Sequence, residues 1–155
     1  MTKLITVTGP EPLSADERRT LRSLVALMIP ASTEYQVPGA DDEEIFADIA
    51  SSLGRDADAV RQAVRRLDEL SGGSFADAPA NARISIAQKF REAHPALATV
   101  LVAVTVRCYY RDTRVMRSLG MEPRPPFPKG FEVEQGDWTL LDPVRARGKI
   151  YRDAP

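Results

Sequence analysis

Between Ala96 and Val106 the chain runs for 11 residues without a charge. That stretch constrains the fold more than any other. A helix that crosses a bilayer needs about 20 apolar residues, so this run is too short to span one. Pro95 stands directly before it, and proline suits the first turn of a helix. The run continues into Arg107-Cys108-Tyr109-Tyr110-Arg111-Asp112. A helix that is apolar nearly all round is expected at the centre of a bundle.

The preceding chain supplies helices to surround it. Ser14 and Glu17 form a capping box, after which Leu21, Leu24, Val25 and Met28 fall on one helical face, and Pro30 ends the pattern. Pro38-Gly39 marks a turn. Asp41 or Asp42 then caps a second helix, with Glu43 and Glu44 favouring its positive end, Phe46, Ile49 and Leu53 buried, and Gly54 closing it. A third helix, from about Asp56 to Leu70, buries Val60, Ala63, Val64 and Leu67, carries Asp68 outside, and stops at Ser71-Gly72-Gly73. Phe75 is an isolated aromatic expected to plug the core. A fourth helix after Pro79 buries Ile86 and Phe90, with Ile84 a further candidate. After the central helix, a short one holding Val115, Met116 and Leu119 ends at Gly120. The expected fold is all-α: a compact bundle of about five helices over 13–120, preceded by an arm at 1–12 and followed by a long irregular tail at 121–155.

The two ends differ in kind. The arm holds one β-favouring run, Leu4-Ile5-Thr6-Val7-Thr8, with no second strand to pair with. The tail shows no helical or strand period, and Pro123, Pro125, Pro126 and Pro128 crowd around Phe127. Yet it also carries Phe131, Trp138, Leu140, Leu141, Val144, Ile150 and Tyr151, and a solvated disordered tail is poor in such residues. So much apolar content in irregular chain calls for a surface to bury on.

The inventory of reactive groups is short. One histidine, His94, sits at a helix junction, and one cysteine, Cys108, sits inside a helix. A nucleophilic triad or a zinc site needs more, and no internal disulfide is possible. There is no Walker loop or glycine-rich dinucleotide fingerprint. Asp41–Glu44 reads as helix capping rather than as a catalytic pair. Overall charge is −1, but 1–56 holds 5 basic and 10 acidic residues while 107–155 holds 10 and 7. One consequence to look for is a basic C-terminal segment lying on an acidic surface. Arg107, Arg111, Arg114 and Arg117, and separately Arg145, Arg147, Lys149 and Arg152, are also the spacings that would meet phosphates. Interleaved carboxylates cut that field, and arginine with tyrosine and tryptophan suits a protein interface better.

Arg18-Arg19 ahead of Leu24–Ile29 looks like a twin-arginine export signal. Arg22 interrupts it, and the capping box at Ser14 marks a helix of a mature domain instead.

Three stretches together resemble the gluconate 2-dehydrogenase subunit 3 family, over roughly residues 15–130. They are Leu27-Met28-Ile29-Pro30-Ala31 with Pro38-Gly39-Ala40-Asp41; Ser71-Gly72-Gly73 to Phe75; and Tyr109-Tyr110-Arg111-Asp112-Thr113-Arg114-Val115, Leu119-Gly120 and Phe127-Pro128-Lys129-Gly130-Phe131. The resemblance implies a helical accessory subunit of a large glucose–methanol–choline-type flavoprotein, which binds FAD and oxidises a sugar or related alcohol. The small subunit supports the folding, stability and often the export of that partner, and contributes no known catalytic residue. Tyr109, Tyr110, Phe127, Pro128 and Gly130 match recurring positions of the family and are taken as structural or interface residues. Members often carry a twin-arginine signal upstream of the first helix. Here Arg18-Arg19 lies inside the matching region, so a cytoplasmic complex is expected, or an exported one if an upstream signal precedes this sequence.

The expectation is therefore a non-catalytic subunit with no cofactor or metal of its own, no nucleic-acid partner and no membrane insertion. Its candidate partner-binding residues are Tyr109, Tyr110, Arg111, Phe127, Pro128, Phe131, Trp138, Arg145, Arg147 and Tyr151. The rival readings are an enzyme working through surface carboxylates and a stand-alone adaptor or regulator that binds another protein or nucleic acid.

Overall fold

Ser14 starts the first helix, α1 (Ala15–Met28), with both halves of the capping box in place. The computed structural model describes residues 13–123, 135–150 and 152. Contacts divide the chain into two units, with the boundary between Pro123 and Arg124. The arm 1–12, with its β-favouring run, lies outside the described residues.

In the first unit α1 is followed by α2 (Glu43–Ser51), α3 (Ala57–Ser71), α4 (Ala80–Ala93), α5 (Pro95–Tyr109) and α6 (Thr113–Ser118). The described residues contain no strand, only one bridge between Ser32 and Val37. The fold is an all-α bundle. Helix α3 packs on α1, α4 and α5, and α5 packs on α2, α3 and α4. The stripes on α1 and α3 are buried as expected: Leu21, Leu24 and Val25 from α1, and Val60, Ala63, Val64 and Leu67 from α3. Phe75 is fully enclosed. Gly72 caps α3 at φ +69°, in the left-handed region open to glycine.

The loop between α1 and α2 folds back tightly. The Ala40 N–H donates to the Ile29 carbonyl at 2.9 Å. A Cβ on Gly39 would stand 2.9 Å from the Ala31 nitrogen and 2.4 Å from an Asp41 carboxylate oxygen, so this approach requires glycine.

Several sequence expectations are corrected. Helix α2 ends at Ser51, and Gly54 instead opens a 3-10 turn, Gly54–Asp56. Asp68 is not an outward charge. Its Oδ1 accepts from the Thr20 hydroxyl at 3.0 Å and from the Phe75 N–H at 2.8 Å, tying α1 and the Phe75 turn to α3. Ile84 is 51% exposed, because the buried side of α4 runs through Phe90 and Ile86. Helix α5 is not enclosed. Leu101, Val104, Cys108 and Tyr109 are buried, whereas Val102 is 49% and Val106 36% exposed. Among the described residues α2, α3 and α4 pack on one side of α5, and Val102 and Val106 on its other side stay exposed.

The second unit is not wholly irregular either. A 3-10 turn, Trp138–Leu141, leads into α7 (Asp142–Ala146). The Asp137 carboxylate caps the turn, accepting from the Thr139 N–H at 3.0 Å and its hydroxyl at 2.7 Å. Pro143 stands in the first turn of α7. Elements of four and five residues are too short to display an apolar period.

No helix among the described residues is long and apolar enough to cross a membrane.

Candidate partner-binding surface

Three arginine–aspartate pairs, far apart in sequence, fasten the α5–α6 corner to α2, to its cap Asp42 and to the 3-10 turn Gly54–Asp56. Arg107 Nη1 stands 3.5 Å from Asp56 Oδ2. Arg111 Nε donates to Asp48 Oδ2 at 2.6 Å, and its Nη2 donates to Asp48 Oδ1 and, at 2.7 Å, to the Ser52 hydroxyl. Arg114 forks onto Asp42, at 2.6 and 3.2 Å, and also donates to Asp112. Part of the uneven charge is thus paired inside the first unit: Arg107, Arg111 and Arg114 lie on acidic residues of 42–56. Arg107, Arg111 and Arg114 tie helices together rather than standing as an open row for phosphates.

Three carboxylates in this ladder, Asp42, Asp48 and Asp112, are held ionised. The hydrogen bond from Arg114 holds Asp42 and Asp112 below the usual carboxylate range, and that from Arg111 does the same for Asp48, in each case against burial. Asp48, Asp112, Glu44 and Cys108 line a cavity of about 360 Å³. A general acid–base pair needs two groups pushed apart in pKa. Here Asp48 and Asp112 are pushed the same way, so neither stores a proton near neutral pH. Burial pushes the Cys108 thiol up, with the Asp48 charge adding to it, which disfavours the nucleophilic thiolate. His94 joins α4 to α5, with its ring centroid 5.6 Å from that of Phe90. Among the described residues no group of three or more His, Cys, Asp or Glu is placed to hold a metal ion.

A carboxylate with a depressed folded pKa adds stability above its unfolded pKa, near 3.9, and loses it as pH falls through the folded value. Asp48→Asn is expected to cost about 1 kcal/mol at pH 7, discounted because Arg111 is half exposed. The deficit should shrink as pH drops below about 4. Urea unfolding at pH 7 and pH 3 measures both. An equal deficit at the two pH values would rule out the ion pair as its source.

The proposed contact residues separate into three groups. Tyr109 is buried, and its hydroxyl donates to the Pro38 carbonyl at 3.1 Å, so it joins α5 to the α1–α2 loop. Burial raises its pKa. Arg111 belongs to the ladder. Tyr110, next in the chain, is 51% exposed, with its ring edge-on to Tyr109 at 5.3 Å. In the second unit Trp138 is exposed, as are Arg145, which pairs with Asp142 at 3.3 Å, and Arg147. Phe127, Pro128, Phe131 and Tyr151 lie outside the described residues.

Arg18 and Arg19 are built into the bundle. Arg18 and Arg22 each place a guanidinium 5.5 Å from the Phe46 ring centroid, and Arg19 pairs with Asp77 at 2.5 Å.

Two further features were not picked out from sequence. One is the outward side of α5. Ala96, Thr99, Val102, Ala103, Val106 and Tyr110 are all exposed and follow one another at helical spacing with no charge among them. The Thr99 hydroxyl is bonded back to the Pro95 carbonyl at 2.9 Å, so even this residue presents little polarity. The other is an open groove of about 400 Å³ between α1, α4 and α5, lined mostly by aliphatic residues. The signal for both was the uncharged run itself, since a helix apolar on every side either is enclosed or offers a face to something else. No family model, curated protein or solved structure matches this chain.

Proposed function

We propose that this chain is a non-catalytic small subunit of an FAD-dependent oxidoreductase acting on a sugar, glycoside or related alcohol, and that it stabilises the large flavoprotein subunit. The observation that carries the subunit reading is the outer side of α5. Six exposed residues over four turns carry no charge, and contiguous exposed apolar surface marks interaction sites. A second support is the exposed Trp138, Leu140 and Val144 of the second unit, a composition typical of contacts. The choice of a flavoprotein rests on the resemblance carried by Tyr109–Val115 and the stretches that accompany it. The described part of this chain does not suit FAD itself: its apolar groove has one cation and no glycine-rich backbone cradle for a pyrophosphate. The flavin is therefore assigned to the partner. We place the complex in the cytoplasm, supported by Arg18 and Arg19 being folded into α1 rather than standing in a leader.

Co-expression with the flavoprotein encoded beside it provides the test. The two chains should co-purify in fixed ratio as a yellow complex, whereas the isolated small chain should be colourless. A flavoprotein that is soluble, flavin-loaded and fully active without this chain would sink the proposal.

A further inference from the structure

The groove between α1, α4 and α5 has a defined length and one charged end. Leu24, Phe90 and Leu101, all buried, form its base, and the half-exposed Ile84 and Val102 stand at its rim. Along α4 its lining residues Ile84, Ala87, Gln88 and Arg91 fall at i, i+3, i+4 and i+7, a wall about 10 Å long. Arg91 is the one charged lining residue. It has no ion-pair partner among the described residues, and no carboxylate lies three or four positions away on either side of it.

We propose that this groove receives an amphipathic helix of the flavoprotein subunit, with apolar side chains one turn apart in the groove and a carboxylate facing Arg91. This inference rests on the accessory-subunit reading. The walls are helices with their backbone groups already bonded, so they offer no edge to an extended strand, and a helix laid in an apolar groove is the recognition mode that fits. A volume of about 400 Å³ takes several aliphatic side chains rather than one. Met28, on the α1 wall, can adjust to their shape. The charge at one end sets polarity: only a helix with its acidic residue at that end is matched.

Full-length variants test this in complex with the flavoprotein. Arg91→Glu and Val102→Glu should each weaken binding about 10-fold or more, while Arg91→Lys, which keeps the charge, should stay within about 3-fold. The melting temperature of the isolated chain should hold in all three, since both sites are exposed. A photo-crosslinking residue in place of Gln88 should capture a flavoprotein helix that carries Asp or Glu. Capture of a second copy of this chain, or a lipid retained in the groove, overturns the proposal. If the complex forms and both glutamate variants bind like the unaltered chain, the groove inference alone fails. If the unaltered chain does not bind the flavoprotein, the subunit reading fails with it.

Discussion

With Phe75 replaced by alanine, the bundle is expected to lose about 3–5 kcal/mol of stability. Phe75 opens the 3-10 turn Phe75–Asp77, which packs on α1 and α3, and its ring is closed off from solvent. The loss combines the transfer of the ring out of the core with the cavity left behind. The cavity term depends on how far the site can collapse. Collapse is restricted here, because the Phe75 N–H is bonded to the same Asp68 oxygen that takes the Thr20 hydroxyl. A domain of this size is stable by about 5–15 kcal/mol, so the substitution removes a large share of the total. Ile84→Ala, at a half-exposed position, is the control and should cost less than about 1 kcal/mol. Urea unfolding reads both. A Phe75 deficit no larger than that of Ile84 would show that the turn is not docked in solution.

Phe75 also shows how far sequence alone reaches. An isolated aromatic after Ser71-Gly72-Gly73 has few uses except filling a core, and the structure places it there. The stripes of α1 and α3 were legible for a related reason: charged residues flank them closely, so only one side could be buried. Helix α5 lacked that contrast. Its apolarity gave no preferred side, and sequence could not show that its neighbours cover only one. The arginine–aspartate ladder was visible only as a charge imbalance between the two ends of the chain. Its pairs are 51 to 72 residues apart, and which arginine meets which aspartate depends on how α5 crosses α2. Arg111 and Tyr109 stood out within a motif, yet the structure engages both inside the first unit, while the exposed Tyr110 between them makes no hydrogen bond through its side chain among the described residues.

Ala103→Glu combined with Val106→Glu separates folding from assembly, because the two charges fall on the open side of α5. Both positions are exposed. Glutamate favours a helix more than valine does, and the first of the two new carboxylates would stand one turn before Arg107, a favourable i, i+4 pairing. The melting temperature of the isolated chain is therefore expected to hold. Binding to the proposed flavoprotein partner should fall by about 100-fold, on the order of 2.8 kcal/mol. The expected size of the loss comes from desolvation. A carboxylate carried into an apolar contact must shed its water, and the one at position 106, with no lysine or arginine three or four residues away, recovers little of that cost. The same substitutions discriminate between the two candidate contact regions. If the second unit, with Trp138 and Leu140, carried the association alone, charges on α5 would leave the affinity unchanged. If α5 is the covered face, the doubly substituted chain stays folded and colourless while the proposed flavoprotein partner elutes without it.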